Sequence, residues 1–176
     1  MTTRDRLLDA FEDLLIEEGE RAATLEAVAA RAGVSKGGLL YHFASKDALV
    51  DGLLDRLADL ARVDTEAMSA DPRGPAAYYV DSSVYTGSPL DRALIATARL
   101  AQEAEDARRA MRQIHGAWFD LILQQVQDRG VARAIVLLGD GLYYNAVLGS
   151  GTSIVEAEHD RAELLQVVAR LTATEA

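Results

Sequence analysis

The stretch TLEAVAARAGVSKGGLLYHFASK, residues 24–46, constrains the fold more than any other part of the chain. Thr24 has the side chain of a helix N-cap, and apolar residues follow it at helical spacing. Gly33 predicts the end of that helix, because glycine adopts the left-handed conformation after a helix at no steric cost. Ser35 predicts the start of a second short helix, which the pattern carries to about Phe43. Two short helices around a glycine turn form the helix-turn-helix pattern.

The second short helix has a composition that packing alone does not explain. Gly37 and Gly38 together cost roughly 2 kcal/mol against alanine in a helix interior, but they let another molecule approach the backbone closely. In a helix-turn-helix the second helix enters the major groove of DNA, so we expect Ser35, Gly37 and Gly38 to approach base edges or backbone. The groups that we expect to hold phosphates are the polar side chains of Thr24, Lys36, Tyr41, His42 and Lys46. The alternative is a helical hairpin whose glycines are a packing accident.

Motifs in and around this stretch resemble those of one family. LLDAFEDLLIEEG precedes it, AGVSKG and YHF lie within it, and SKDAL ends it. Over Leu7 to Leu54 this order resembles that of TetR-type (TetR/AcrR) transcriptional repressors. The resemblance implies an all-α homodimer that binds a palindromic DNA operator and is released by a small-molecule effector. One departure is Leu40, since many members carry an aromatic residue there that helps to contact DNA.

Composition is typical of a globular chain in a reducing compartment. Hydrophobic residues make up 49% of the 176 residues and charged residues 26%, and there are only 3 prolines. The absence of cysteine excludes disulfides and thiolate metal sites. No signal-peptide pattern begins the sequence and no apolar run approaches ~18 residues, so we expect a cytoplasmic protein without a membrane span.

The charge distribution is unfavourable for nucleic-acid binding at first sight. The net charge is −10, and residues 1–47 alone carry nine acidic and six basic side chains. Between Arg31 and Lys46, however, there are three cations and no acid. We therefore expect a local positive face on an acidic body, which limits non-specific DNA binding and makes specific binding sensitive to salt.

Apolar periodicity predicts helices throughout, and hence an all-α protein of two domains. Residues 1–47 form the predicted helix-turn-helix DNA-binding domain, and residues 48–176 form the predicted ligand-binding and dimerisation domain. A boundary segment is predicted at 64–75, where the helical pattern breaks, and a turn at 149–152. The predicted helices cover 4–18, 25–32, 36–43, 45–62, 76–86, 89–101, 103–129, 131–148 and 156–172.

The second predicted domain offers candidates for a small-molecule site and for a subunit interface. A mostly apolar cavity with a few hydrogen-bonding groups is the ordinary form of such a site. Candidate side chains that look inward are Tyr79, Tyr85, His115, Trp118, Tyr143 and Asn145. For each of them, simple packing in the core is the alternative role. The two apolar helices at 131–148 and 156–172 are expected to form an intersubunit four-helix bundle, unless they only complete the core of one subunit.

Other classes of protein find little support in the sequence. His42, His115 and His159 lie far apart and lack metal-ligand spacing, and no phosphate-binding glycine loop follows a strand. Serine does not occur in a nucleophile-elbow context. We therefore expect no enzyme, no cofactor and no metal. The remaining alternative is a helical small-molecule-binding or protein-interaction module without operator binding.

Overall fold

The computed structural model describes residues 2–148 and 154–173, with side chains described over 2–147 and 158–173. In these ranges all regular structure is helical, which confirms the all-α expectation. The predicted turn at 149–152 lies outside the described residues. The helices are α1 (Thr3–Glu17), α2 (Leu25–Arg31), α3 (Lys36–His42), α4 (Lys46–Ala70), α5 (Pro75–Ser82), α6 (Pro89–Leu100), α7 (Glu105–Val126), α8 (Arg129–Leu148) and α9 (Ile154–Thr172).

The chain forms two compact units. The first comprises Met1–Ala61 with Gly87–Gln113, and the second comprises Arg62–Thr86 with Ile114–Ala176. Both α4 and α7 contribute residues to each unit. The boundary between a DNA-binding domain and a ligand-binding domain, expected after residue 47, stays a prediction. The compact unit that contains the helix-turn-helix also includes the first part of α4 and all of α6.

The first unit is built on an apolar face of α1. Leu7, Phe11 and Leu15 are fully buried there, and α1 packs against α2 and α6. From α4, Leu49 and Leu53 are also fully buried. Two short helices bury too little apolar surface to be stable alone, so α1 and α4 supply the core that positions α2 and α3.

Helix α4 continues through most of the predicted boundary segment at 64–75. It ends at Ala70, and Met68 near its end is fully buried. The sequence between Gly52 and Pro72 contains neither glycine nor proline, so nothing local ends the helix earlier. The boundary prediction was therefore too early by about two helical turns.

The single helix predicted over 103–129 is wrong. Helix α7 ends at Val126, Gln127 adopts a left-handed φ of 56°, and α8 begins at Arg129. The Asp128 carboxylate accepts hydrogen bonds from the backbone amides of Gly130 (2.7 Å) and Val131 (2.9 Å), which makes it the cap of α8. Gly130 lies in the first turn of α8 and does not end α7, because the aspartate cap sets the start of the new helix.

The second unit is organised around close contact between α5 and α8. A Cβ atom at Gly139 would lie 2.5 Å from Cε1 of Tyr79 and 2.7 Å from Oγ of Ser83. Glycine at this position therefore allows α5 and α8 to approach each other closely. Helix α5 also packs against α9, and its Ala76 amide donates to the side-chain oxygen of Gln125 at 2.9 Å.

Candidate nucleic-acid interface and polar cluster

Local hydrogen bonds define the two helices and the turn as the sequence predicts. The Thr24 hydroxyl accepts from the Ala27 amide at 3.2 Å, and the Ser35 hydroxyl accepts from the Gly38 amide at 3.0 Å. Gly33 has a φ of 67°, the left-handed conformation expected where α2 ends. The two N-caps and the glycine stop are confirmed, so the pattern is a true helix-turn-helix.

Helix α3 turns an apolar side inward and a polar side outward. Leu39 is fully buried and Phe43, directly after the helix, is 3% exposed. These two residues hold α3 on the first unit. The exposed residues are Ser35, Lys36, Gly37, Leu40, Tyr41 and His42, and among them Tyr41 is 86% exposed. An 86% exposed tyrosine is available for contact with another molecule.

The two glycines of α3 differ in what surrounds them. A Cβ at Gly38 would lie 3.3 Å from the Ser35 hydroxyl that caps the helix. The close position of this hydroxyl partly explains why residue 38 is a glycine. At Gly37 the nearest atom is the same hydroxyl at 4.0 Å, which is ordinary contact. Packing within the described chain does not require glycine at Gly37. Its exposed backbone fits the close approach of an external molecule.

The cations of the helix-turn-helix are paired with acidic residues of the same unit. Lys36 Nζ lies 2.5 Å from Oε1 of Glu26. Lys46 Nζ donates to the backbone carbonyl of Glu20 at 2.9 Å and lies 3.5 Å from its carboxylate. Arg31 forms two ion pairs, each of 2.9 Å, with Glu17 and Glu18. The positive face expected from residues 31–46 is thus offset by acids that precede it in the chain.

A partly buried charge network joins three helices of the first unit. Arg56 of α4 lies 2.6 Å from Asp9 and 2.9 Å from Glu12 of α1, and Arg92 of α6 forms ion pairs with Glu12 (3.7 Å) and Asp13. Burial raises the pKa of Glu12 even though the Arg56 hydrogen bond and charge act in the opposite direction. Removing Arg56 would take away the nearest cation of the buried Glu12 carboxylate, so Arg56 is a stability determinant of this unit.

Of the six small-molecule candidates, the second unit brings three into direct ring contact. The ring centroids of Tyr79 and Trp118 are 5.7 Å apart, and those of His115 and Trp118 are 5.3 Å apart. Tyr79 and Trp118 are buried and His115 is half-buried. Of the other three, Tyr85 and Asn145 are exposed and Tyr143 is half-buried.

Two carboxylates complete this group, and sequence reasoning missed both. Asp64 accepts from Trp118 Nε1 at 2.8 Å and from the Tyr78 hydroxyl at 2.9 Å, while Asp140 accepts from the Tyr79 hydroxyl at 2.6 Å. Both acids interrupt otherwise apolar helix faces, which was the available signal. We call Asp64, Tyr78, Tyr79, His115, Trp118 and Asp140 the aromatic–carboxylate cluster.

The phenols of the cluster stay neutral over the whole physiological range. Burial, followed by the hydrogen bond to Asp64, raises the pKa of Tyr78 to about 12. Burial and the Asp140 hydrogen bond raise the pKa of Tyr79 still further. Within residues 2–147 and 158–173, no lysine or arginine forms an ion pair with Asp64 or Asp140. Neutral donors alone therefore hold both carboxylates.

No helix within the described ranges is long and apolar enough to cross a membrane. In the same ranges, no group of histidine, aspartate and glutamate side chains is arranged to hold a metal ion.

The capped short helices, the glycine turn and the outward-facing α3 on a helical core define a helix-turn-helix domain. Residues 7–53 match the family model for bacterial regulatory proteins of the tetR family. Over these residues the chain is similar to the helix-turn-helix domain of TetR-family transcriptional regulators.

Individual relatives match different shares of the chain. The regulator TtgR of Pseudomonas putida is 36% identical over 76 residues, which are 41% of this chain and 36% of TtgR. The match thus spans about a third of that relative. BetI of Serratia proteamaculans is 25% identical over 160 residues, covering 82% of this chain and 81% of BetI.

The fold extends over the whole of a solved relative. NalD, the secondary repressor of the MexAB-OprM multidrug efflux pump in Pseudomonas aeruginosa, superposes with a TM-score of 0.72 at 24% identity. The alignment covers 99% of this chain and 97% of NalD. Fold is retained where sequence similarity is low.

Proposed function

We propose that the chain is a ligand-responsive repressor, which binds a palindromic operator as a homodimer and is released by a small-molecule effector. The observation that carries this proposal is the outward side of α3. A Cβ atom at Gly37 would meet only the Ser35 hydroxyl at 4.0 Å, an ordinary contact, and the polar side chains of Lys36, Tyr41 and His42 are exposed.

In this proposal each α3 enters a major groove of the operator. Ser35, Gly37 and Gly38 approach base edges or backbone, which needs residues without bulky side chains. The phosphate contacts come from Thr24, Lys36, Tyr41, His42 and Lys46. The Thr24 and Ser35 hydroxyls accept hydrogen bonds as helix caps, and their own protons remain to be donated to an operator oxygen.

A second copy of the chain is the proposed occupant of the apolar surface on α8 and α9. Leu137 is 62% exposed and Tyr144 is 64% exposed on α8, with Val147 beside them and Leu171 on α9 also exposed. Pairing these helices with those of a second copy forms an intersubunit four-helix bundle. Leu137→Asp should convert the dimer to a monomer in size-exclusion chromatography with light scattering, whereas an unchanged dimer would place the interface elsewhere.

The aromatic–carboxylate cluster is the proposed effector site, and an organic cation is the proposed class of effector. Aromatic faces attract a cation, and the Asp64 and Asp140 carboxylates compensate its charge in a poorly hydrated site. Helix α4 carries both Lys46 of the helix-turn-helix and Asp64 of the cluster. An effector that binds one conformation of the dimer more tightly shifts the population away from the operator-binding form.

The effector proposal can be tested with the intrinsic fluorescence of Trp118, the one tryptophan of the chain. Aromatic quaternary ammonium ions and their uncharged analogues would be titrated against the native protein and against Asp64→Asn. We expect the cations to bind more tightly to the native protein and to lose most of that preference in the variant. If the native protein binds charged and uncharged analogues with equal affinity, the proposal that the effector is an organic cation is wrong.

The DNA-binding proposal is tested by selection of genomic fragments with the purified protein, followed by binding measurements on the recovered sequence. Gly37→Ala should stabilise α3 by up to about 1 kcal/mol, because alanine is the better helix former. The same change should weaken operator binding, because the added methyl group faces the groove. Gly116→Ala, also in an open helical position, is the matched control and should leave DNA binding unchanged.

Two outcomes would point to the alternative function. Recovery of no sequence above background by a folded dimer would favour a helical small-molecule-binding or protein-interaction module. If an operator is recovered and Gly37→Ala binds it as tightly as the native protein does, the proposal that α3 enters the major groove is wrong.

A further inference from the structure

Lys36, the first residue of the exposed helix α3, is already bound to a carboxylate in the free protein. Its Nζ lies 2.5 Å from Oε1 of Glu26, which is in the first turn of α2. The Lys36 side chain is 55% exposed and that of Glu26 is 65% exposed, so both ends of the pair face solvent. An operator phosphate that reaches Lys36 therefore meets the Glu26 carboxylate at the same place.

We propose that Glu26 competes with the operator phosphate for Lys36 and thereby sets the affinity for DNA without changing the sequence preference. The inference rests on the phosphate contact of Lys36 in the proposed function. Glu26 acts as an internal substitute for a phosphate, which occupies Lys36 until DNA replaces it.

The competition follows from the strength of the two interactions. An ion pair between exposed side chains contributes little in water, whereas a phosphate in a docked duplex has a fixed position and several oxygens as acceptors. The exchange therefore proceeds in favour of DNA. A glutamate side chain in water is ionised at neutral pH, so the displaced Glu26 carboxylate stays charged. It then repels the phosphate that replaced it.

Lys36 is the cation of the helix-turn-helix for which this exchange is simplest. Lys46 also donates to the Glu20 backbone carbonyl and is only 35% exposed, which ties it to the protein. Arg31 is held by two carboxylates at the end of α2. Lys36 has one carboxylate partner among the residues whose side chains are described, and it lies at the start of the helix proposed to enter the groove.

The proposal predicts an effect on the salt dependence of binding. A lysine that neutralises a phosphate releases condensed cations, which steepens the dependence of affinity on salt concentration. When DNA displaces Glu26 from Lys36, the free Glu26 carboxylate attracts cations from the solution. This uptake offsets part of the release of cations from the DNA. Without Glu26 the slope of log affinity against log salt should steepen by up to ~0.9 per protomer.

The experiment compares Glu26→Gln with a control that changes the same charge elsewhere. Glu66→Gln is that control, because Glu66 is also 65% exposed and pairs with Arg62 at 2.8 Å. Binding to the selected operator and to a scrambled duplex of the same length would be measured by fluorescence anisotropy at several salt concentrations. Thermal unfolding would confirm that both variants are folded.

We expect Glu26→Gln to bind both duplexes about threefold to tenfold more tightly at low salt, with a steeper slope and an unchanged ratio between the two. Glu66→Gln should change affinity by less than about twofold. If Glu26→Gln binds no more tightly than Glu66→Gln, or if it tightens binding to the operator alone, the inference is overturned.

A double-mutant cycle with Lys36→Ala separates this inference from the proposal beneath it. Lys36→Ala should weaken binding to both duplexes, and in its presence the effect of Glu26→Gln should fall to that of Glu66→Gln. If Lys36→Ala binds as the native protein does, the phosphate contact itself is wrong. If Lys36→Ala weakens binding but the Glu26→Gln effect persists undiminished, Glu26 acts as a general charge and not as a competitor for Lys36.

Discussion

The contact between α5 and α8 at Gly139 gives a quantitative prediction for the second unit. In Gly139→Ala the new Cβ would lie 2.5 Å from Cε1 and 2.7 Å from Cδ1 of Tyr79. Real Cβ contacts are essentially never below 3.0 Å, so the ring or the helix must move by at least half an ångström. The ring is poorly placed to move, because it is buried against Trp118 and its hydroxyl is bound to Asp140 at 2.6 Å.

The expected cost combines three effects. Overpacking of a buried site costs about 1–3 kcal/mol, and partial loss of the Tyr79–Asp140 hydrogen bond adds on the order of 1 kcal/mol. Replacing glycine by alanine within α8 returns up to about 1 kcal/mol of helix propensity. We therefore expect Gly139→Ala to lower the free energy of unfolding by about 1–3 kcal/mol, and Tm by roughly 2–12 °C in a chain of this size.

Differential scanning calorimetry measures the change, and Trp118 fluorescence reports whether the aromatic–carboxylate cluster has shifted. Gly116→Ala in α7 is the matched control, because a Cβ there has nothing within 4 Å. It should raise stability by up to about 1 kcal/mol. A Gly139→Ala variant as stable as Gly116→Ala would refute the close packing of α5 on α8.

Two further predictions concern the first unit. Gly52→Ala would place its Cβ 2.7 Å from Cε1 of Phe43 and 3.2 Å from Cδ2 of Leu8, so we expect a loss of about 1–3 kcal/mol in urea unfolding and weaker DNA binding; native stability would contradict the packing of α4 behind α3. Burial raises the pKa of Glu12, so the folded state holds that proton more tightly than the unfolded state does. The stability of the native protein relative to Glu12→Gln should therefore be largest below about pH 4.5 and should fall as the pH rises through the folded pKa; a difference that is constant or grows with pH would contradict the burial effect.

The ion pairs of the helix-turn-helix lysines bear on how a protein of this net charge could bind DNA. A net charge of −10 is compatible with DNA binding if the acids are far from the binding surface. Here Glu20 and Glu26 lie at the helix-turn-helix itself and contact its lysines. Glu20 and Glu26 are therefore part of the proposed interface. In our proposal Glu26 also lowers the affinity of that interface for DNA.

Several features of the first unit were determined by the sequence alone. The caps at Thr24 and Ser35 and the left-handed Gly33 are confirmed, because each depends on hydrogen bonds and backbone conformations within about four residues. Interactions between residues so close in the chain can be predicted from the spacing of residue types in the sequence. The apolar residues Leu39, Leu40 and Phe43 predict that α3 is held on the domain by three side chains. Leu39 and Phe43 are buried as predicted, but Leu40 is 40% exposed.

Longer-range features were decided only by the tertiary structure. The Lys36–Glu26 pair joins residues 10 positions apart, the Trp118–Asp64 bond 54 and the Tyr79–Asp140 bond 61. No spacing in a single sequence indicates which acid meets which donor over such separations, because packing of whole helices brings them together. Local chemistry thus determined where the helices begin and end over most of the chain, while helix packing decided which charges and rings face one another.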